Sequence, residues 1–213
     1  MEVYPVVVGD LKGSMDRTVF YKVEDRCFGR KKNQPKEREF SNEEQEHHLK
    51  FGFVGRLAGR VRYVLRECLW NKPKHLTLPN YFVRLNFGNC MVEDLESGLV
   101  TFNYEDAVFT KGSMSLPDVT VSYSEEDSSF TFALTPMAGR EFPGKNASDE
   151  VHAILLESNL LQAYQLELGT RGEENSVIEA LEPGWNKDFV HVYAYACNRK
   201  EKDTSDTLYL PFE

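Results

Sequence analysis

From Val119 onward the chain is cut into short stretches in which apolar and polar residues alternate. VTVSY (119–123), SFTFAL (129–134), AYQLEL (163–168) and DFVHVYAYAC (188–197) all read this way. A period of two sends successive side chains to opposite faces, which is the signature of a strand with one face buried. SVIEAL (176–181) and TLYLPF (207–212) complete the set, and turn signals such as Glu182-Pro183-Gly184 separate the members. EVHAILLE (150–157) is apolar almost throughout, as a central strand would be. The longest breaks are Phe142 to Ser148 and Asn198 to Asp206. This half of the chain is therefore predicted to form short strands in packed sheets.

The segment from Phe40 to Trp70 has a different period. Leu49, Phe53, Leu57, Val61, Val64 and Cys68 recur at steps of three or four, and Val54, Ala58 and Leu65 widen the stripe. Ser41 and Glu44 form a capping-box pattern at its start. Glu43, Glu44 and Glu46 lie early and Arg60, Arg62 and Arg66 late, the order a helix dipole favours. The spacing predicts one long amphipathic helix over 41–70. Gly52, Gly55 and Gly59 sit opposite the stripe, beside Arg62 and Arg66. Each costs about 1 kcal/mol in a helix interior. Either a second backbone approaches closely there, or the helix is kinked or broken.

Before the helix, Val3 to Val8 is a short apolar run, and Thr18 to Phe28 reads as a hairpin turning at Glu24-Asp25. A basic exit follows, with Arg30, Lys31, Lys32, Lys36 and Arg38 interleaved with Glu37 and Glu39, the pattern of a solvated linker. After the helix, Pro73 and Pro79 punctuate the chain. NYFVRLNF (80–87) fits a short helix or a strand. LVTFNYEDAVF (99–109) reads as a strand with a bend at Glu105-Asp106.

The expected fold is α+β and β-dominated. An N-terminal hairpin-plus-long-helix unit would span 1–110, and a β-sandwich 115–213. Seven strands in the second part match the count of an immunoglobulin-like or fibronectin-type-III-like sandwich. Along the chain come Gly13 and Tyr21, the basic segment with Pro35, the helix from Glu44-Gln45 through Lys50-Phe51, then Pro183-Gly184-Trp185 and Val190-His191-Val192-Tyr193. That order of features resembles an uncharacterised family of Bacteroidota proteins, catalogued only as a domain of unknown function. Members of that family more often begin the helix with Thr-x-Ala-Gln-Gln, where this chain has Ser41-Asn42-Glu43-Glu44-Gln45. The resemblance implies no activity and no catalytic residue.

Charge is distributed unevenly. Residues 1–85 hold 17 Lys+Arg against 11 Asp+Glu, and residues 86–213 hold 8 against 23, giving +6 and −15, which sum to −9. A general nucleic-acid binder is not expected at that net charge. The two halves could attract each other, within a chain or between chains. Cys27, Cys68, Cys90 and Cys197 show no C-x-x-C spacing, so buried free thiols are expected. MEVYPVVVGD lacks the layout of a signal peptide, and no run approaches a membrane span. A cytoplasmic protein is the expectation, with assembly into a larger particle compatible.

No motif in the sequence carries chemistry. There is no G-x-S-x-G, P-loop, G-x-G-x-x-G or H-E-x-x-H. His47 and His48 point about 100° apart on a helix and cannot chelate together. His152 and His191 fall on strands, and Asp149-Glu150 near Asn146 lacks a calcium-loop pattern. No catalytic residue, metal or cofactor is therefore assigned. Trp185, Phe189, Tyr193 and Tyr195 could form a carbohydrate- or protein-binding surface, with Trp185 the candidate ligand-surface aromatic, but in a sandwich alternate members face the core, and Trp185 reads mainly as a packing residue. The expected function is a non-enzymatic structural or protein-interaction module, meeting a protein partner or a second copy. Gly52, Gly55, Gly59, Arg62 and Arg66 are its candidate face. The alternative is a carbohydrate- or ligand-binding sandwich.

Overall fold

The computed structural model describes residues 3–6, 13–15, 17–23, 26–32, 39–141, 143–200 and 202–212. It divides into two compact units, Met1–Phe40 and Ser41–Glu213.

In the first unit, β1 (Val3–Val6), β2 (Gly13–Met15), β3 (Thr18–Val23) and β4 (Arg26–Lys31) form an antiparallel sheet of order β1-β4-β3-β2. β3 and β4 are the expected hairpin, with Val23 opposite Arg26; Glu24-Asp25, Lys36 and Arg38 lie outside the described residues. Tyr21 stacks on Phe28 across the pair at 5.7 Å, and Arg30 lies 5.8 Å from the Tyr21 ring. Gly29 faces Phe20, whose ring would sit 3.3 Å from a Cβ at that position.

The second unit begins with α1 (Asn42–Arg60) and α2 (Arg62–Cys68). The capping box is formed: Glu44 N donates to Ser41 Oγ at 3.3 Å, and Ser41 N to Glu44 Oε2 at 3.1 Å. The single helix expected over 41–70 is broken at Val61, whose φ of −87° and ψ of 13° leave the helical region. The ladder nearly survives the break, because Val61 N still donates to Leu57 O and Leu65 N to Val61 O. The predicted stripe is the buried one, through Val54, Leu57, Ala58, Val61, Val64, Leu65 and Cys68. NYFVRLNF resolves as a helix, α3 (Leu78–Asn86), capped by Thr77 and started by Pro79. β5 (Cys90–Asp94) and β6 (Leu99–Phe102) form a ribbon that packs on α1. The strand expected to reach residue 109 stops at Phe102. Asn103 accepts from Glu105 N at 3.1 Å and donates to Asp106 at 2.7 Å, and this local turn replaces the ladder.

The remaining strands are β7 (Val119–Ser124), β8 (Ser129–Leu134), β9 (Glu150–Glu157), β10 (Gln162–Thr170), β11 (Asn175–Ala180), β12 (Val190–Asn198), β13 (Asp203–Thr204) and β14 (Leu208–Leu210). They form a three-stranded sheet, β11-β8-β7, and a five-stranded sheet, β10-β9-β12-β13, in which β14 also pairs with β12. The two sheets share one core: Phe130, Phe132 and Leu134 meet Val151, Ala153, Leu155, Val192 and Ala194. The other face of β9 and β12 carries Ile154, Leu156, Tyr193 and Tyr195, and these enter a second core with Val54, Leu57, Leu65, Phe82 and Phe109. The order of layers is therefore helices, five-stranded sheet, three-stranded sheet. Burial on both faces is why EVHAILLE is apolar between its polar end at Glu150 and His152 and its last residue, Glu157.

The boundary expected between 110 and 115 falls inside this second unit. There the chain is tied to its own C-terminal segment. Thr207 Oγ1 accepts from Phe109 N at 2.9 Å and Thr110 N at 2.8 Å, and Asp206 accepts from Gly112 N at 3.1 Å. Buried Arg171 adds a clamp, donating to the carbonyls of Ser115 and Leu116 with its Nε 3.5 Å from Asp149.

Candidate functional site

Two places bring together side chains that the packing does not explain. The first is the outward side of α1 and α2. Burial of Val54, Leu57 and Ala58 turns Phe51, Gly55 and Gly59 away from the core, and Tyr63 follows just past the break at Val61. These four are spaced by four, so they form one row along the surface. Phe51 is 51% and Tyr63 79% exposed. A Cβ at Gly52, Gly55 or Gly59 would meet nothing within 4 Å, so no backbone of the described chain uses the approach these glycines permit. Arg56, Arg60, Arg62 and Arg66 are exposed along the same stretch, and the Arg66 guanidinium lies 5.8 Å from the Tyr63 ring. Between His47 and Arg66 there is no carboxylate. The surface is thus apolar and flat in its middle and cationic at its margin. Gly52 also borders a cleft of about 430 Å³ formed with His48, Phe53, Arg56 and the β5–β6 turn.

Trp185 is placed differently from those glycines. It is half-buried, its ring lies 5.4 Å from Tyr164, and its Nε1 donates to Gln162 at 3.1 Å. Tyr193 and Tyr195 are buried, which leaves Phe189 as the exposed aromatic of that group. The four do not make a common surface.

The second place is the polar end of the helix-facing side of the five-stranded sheet. Glu150 and His152 are two apart on β9, so they share a face. Antiparallel register puts Cys197 of β12 opposite Glu150. The Glu150 carboxylate gathers the group: Oε2 lies 3.3 Å from His152 Nε2, 3.9 Å from Cys197 Sγ and 2.7 Å from Arg199 Nε. Gln165 of β10 meets the other imidazole nitrogen, Nδ1, at 3.1 Å.

Burial dominates the protonation of this group. It pushes the Cys197 thiol up to about 12, with the Glu150 charge adding to the effect. It lowers the His152 imidazole, against the opposing pull of Glu150. Burial would raise Glu150 as well, but the hydrogen bonds from Arg199 and His152 outweigh it and hold the carboxylate below its ordinary range. The resting state is a neutral thiol, a neutral imidazole and a carboxylate paired with a guanidinium. A thiol held protonated is a poor nucleophile, so the arrangement suits holding a ligand better than attacking one. The donor set, one thiol, one imidazole and one carboxylate, is a metal-ligating set.

In the sequence, His152 and Asp149-Glu150 stand as separate features, and Cys197 stands apart from both as a buried thiol. The alternation puts Glu150 and His152 on one face. The partner strand and its register, which bring in Cys197, are not written in either segment. Among the described residues, Glu150, His152 and Cys197 are the one such group whose ligand atoms converge. No protein-family model matches the chain, and neither a curated protein nor a solved structure matches it.

Proposed function

We propose that the protein is a non-enzymatic protein-interaction module, in which a fibronectin-type-III-like sandwich carries a helical docking face. The strand order supports the sandwich. Lettered along the chain as A, B, C, C′, E, F and G, strands β7 to β12 and β14 give A-B-E in one sheet and C′-C-F-G in the other. The immunoglobulin plan also divides A, B and E from C, F and G, and here the fourth strand lies beside C. The corner Pro183-Gly184-Trp185 turns through Gly184 at φ +87° just before strand F, where such sandwiches change sheets.

The observation that carries the functional reading is the row Phe51, Gly55, Gly59, Tyr63. Gly52, Gly55 and Gly59 cost helix stability, and among the described residues nothing packs into the space beside them. A partner backbone close to α1 would make use of them. The cationic margin selects an acidic partner. The carboxyl-terminal part of the chain, with 23 acidic against 8 basic residues, offers such a surface on a second copy. Its exposed turns include Glu125, Glu126 and Asp127, and Glu173 and Glu174. A basic face meeting a different, acidic face is a heterologous contact, and it repeats into a ring or a filament.

Light scattering behind size exclusion, at low and high salt, tests this. We expect an oligomer at low salt that dissociates as salt rises, and a monomer for Gly59→Leu at either salt. A wild-type monomer at every concentration and ionic strength would overturn self-association.

A further inference from the structure

We propose that Glu150, His152 and Cys197 form a binding site for a divalent transition-metal ion of the zinc class. This goes beyond the docking role and does not depend on it.

The geometry is close to what such an ion requires. In a tetrahedral zinc site with bonds of 2.0–2.3 Å, neighbouring ligand atoms lie about 3.3–3.6 Å apart. Here the carboxylate oxygen is 3.3 Å from the imidazole nitrogen and 3.9 Å from the sulfur, and all three donor atoms lie within 4.8 Å of one another. Shifts of a few tenths of an ångström to about one ångström at side-chain ends would close the set. The donor types select the ion: thiolate with imidazole suits zinc or cobalt, and does not suit magnesium or calcium.

The imidazole is already supported as a ligand would be. Metal-bound histidines donate their second N–H to an acceptor that fixes the ring. Gln165 stands at His152 Nδ1, and among the described residues its own buried Oε1 has no hydrogen-bond partner. The two ends of an amide are interchangeable by a flip. Turned over, Oε1 accepts from Nδ1–H, and the Nε2 lone pair then points towards Glu150 and Cys197. That is the tautomer a metal needs.

Arg199 occupies the place of a cation now. Its Nε holds the same Glu150 oxygen that would ligate, while its Nη1 lies 3.7 Å from Glu67. With its side chain 48% exposed, the guanidinium can leave the carboxylate and remain paired with Glu67. Glu150, 32% exposed, gives an ion its route in from solvent. On binding, the carboxylate exchanges a guanidinium for the metal, and the Cys197 thiol releases its proton to solvent as the metal–sulfur bond forms. Three protein ligands leave a fourth position for water.

The test uses the full chain, stripped with a chelator and titrated with Co²⁺. We expect saturation at one equivalent, a thiolate-to-cobalt charge-transfer band in the near ultraviolet and visible bands of tetrahedral intensity, all abolished by adding Zn²⁺. Cys197→Ser should lose the charge-transfer band, and Cys68→Ser should keep it. Arg199→Ala should bind roughly tenfold tighter or more, because the competing cation is gone. This arm also stands if a ligand variant fails to fold. Absence of the band in both wild type and Arg199→Ala would overturn the site. So would a band that survives Cys197→Ser, or weaker binding by Arg199→Ala.

Discussion

The side-chain amide of Asn86 bridges to the backbone of Val108 twice. Its Oδ1 accepts from Val108 N at 2.7 Å and its Nδ2 donates to Val108 O at 2.9 Å. A third bond runs from Nδ2 to Phe82 O at 3.0 Å. The fully buried amide thus stands in for a neighbouring strand and fixes α3 to the segment that leaves the β5–β6 ribbon.

Replacing it with the similarly sized Leu should cost about 2–4 kcal/mol, since the half-buried N–H and carbonyl of Val108 lose their partners together. Urea unfolding of Asn86→Leu measures this. A loss under about 0.5 kcal/mol would mean that water or a local shift satisfies Val108.

The exposed glycines of α1 make an opposite prediction. Space for a Cβ is free at Gly55 and Gly59, and both lie within a helix. Ala at either position should therefore stabilise the isolated chain by about 0.5–1 kcal/mol. The melting temperature of each variant, under high-salt conditions that keep the protein monomeric, should rise. If Gly59→Ala melts lower, then something within the chain already approaches that backbone.

Acid should weaken the fold in a window set by His152. Burial holds its folded affinity for protons below the ordinary 6.5. As pH falls below about 6.5 the unfolded chain binds the proton first, so stability is lost from there down to the folded value, below which the loss is constant. The slope from this residue is at most about 1.4 kcal/mol per pH unit. His191, lowered by burial in the same direction, adds to it. His152→Gln should flatten the dependence of the urea midpoint between pH 7.5 and 5.5 without abolishing it. An unchanged slope would show that the imidazole is protonated in the folded state.

Much of this architecture was legible because it follows from local periodicity. The stripe from Val54 to Cys68 and the alternation of SFTFAL and AYQLEL each depend only on neighbours in sequence. The three glycines leave a broken helix as one of two readings, but nothing in the sequence places the break at Val61, because a β-branched residue in mid-helix carries no stop signal. Val100, Phe102 and Tyr104 alternate smoothly, so the sequence reads as strand beyond Phe102, where β6 ends. The Asn103 side chain nevertheless diverts the backbone into a turn. The shared core of helices and sandwich was written in EVHAILLE, whose lack of a polar face says that both sides are covered. It does not say by what. The Glu150–His152–Cys197 group depended on strand register over 47 positions, and no single stretch of sequence carries that.

The five-stranded sheet has consequences for the order in which the chain can mature. Its central strands, β9 and β12, supply the floor on which α1, α2 and α3 rest, yet those helices leave the ribosome first. Until Tyr193 and Tyr195 have emerged, the apolar side of Val54, Leu57, Leu65 and Phe82 has no floor and must be shielded by transient contacts or by a chaperone. For the same reason, a fragment beginning near residue 115 would start its life with Ile154, Leu156 and Tyr193 facing water. Cutting this protein into a helical piece and a sandwich piece would yield two aggregating fragments and no working half.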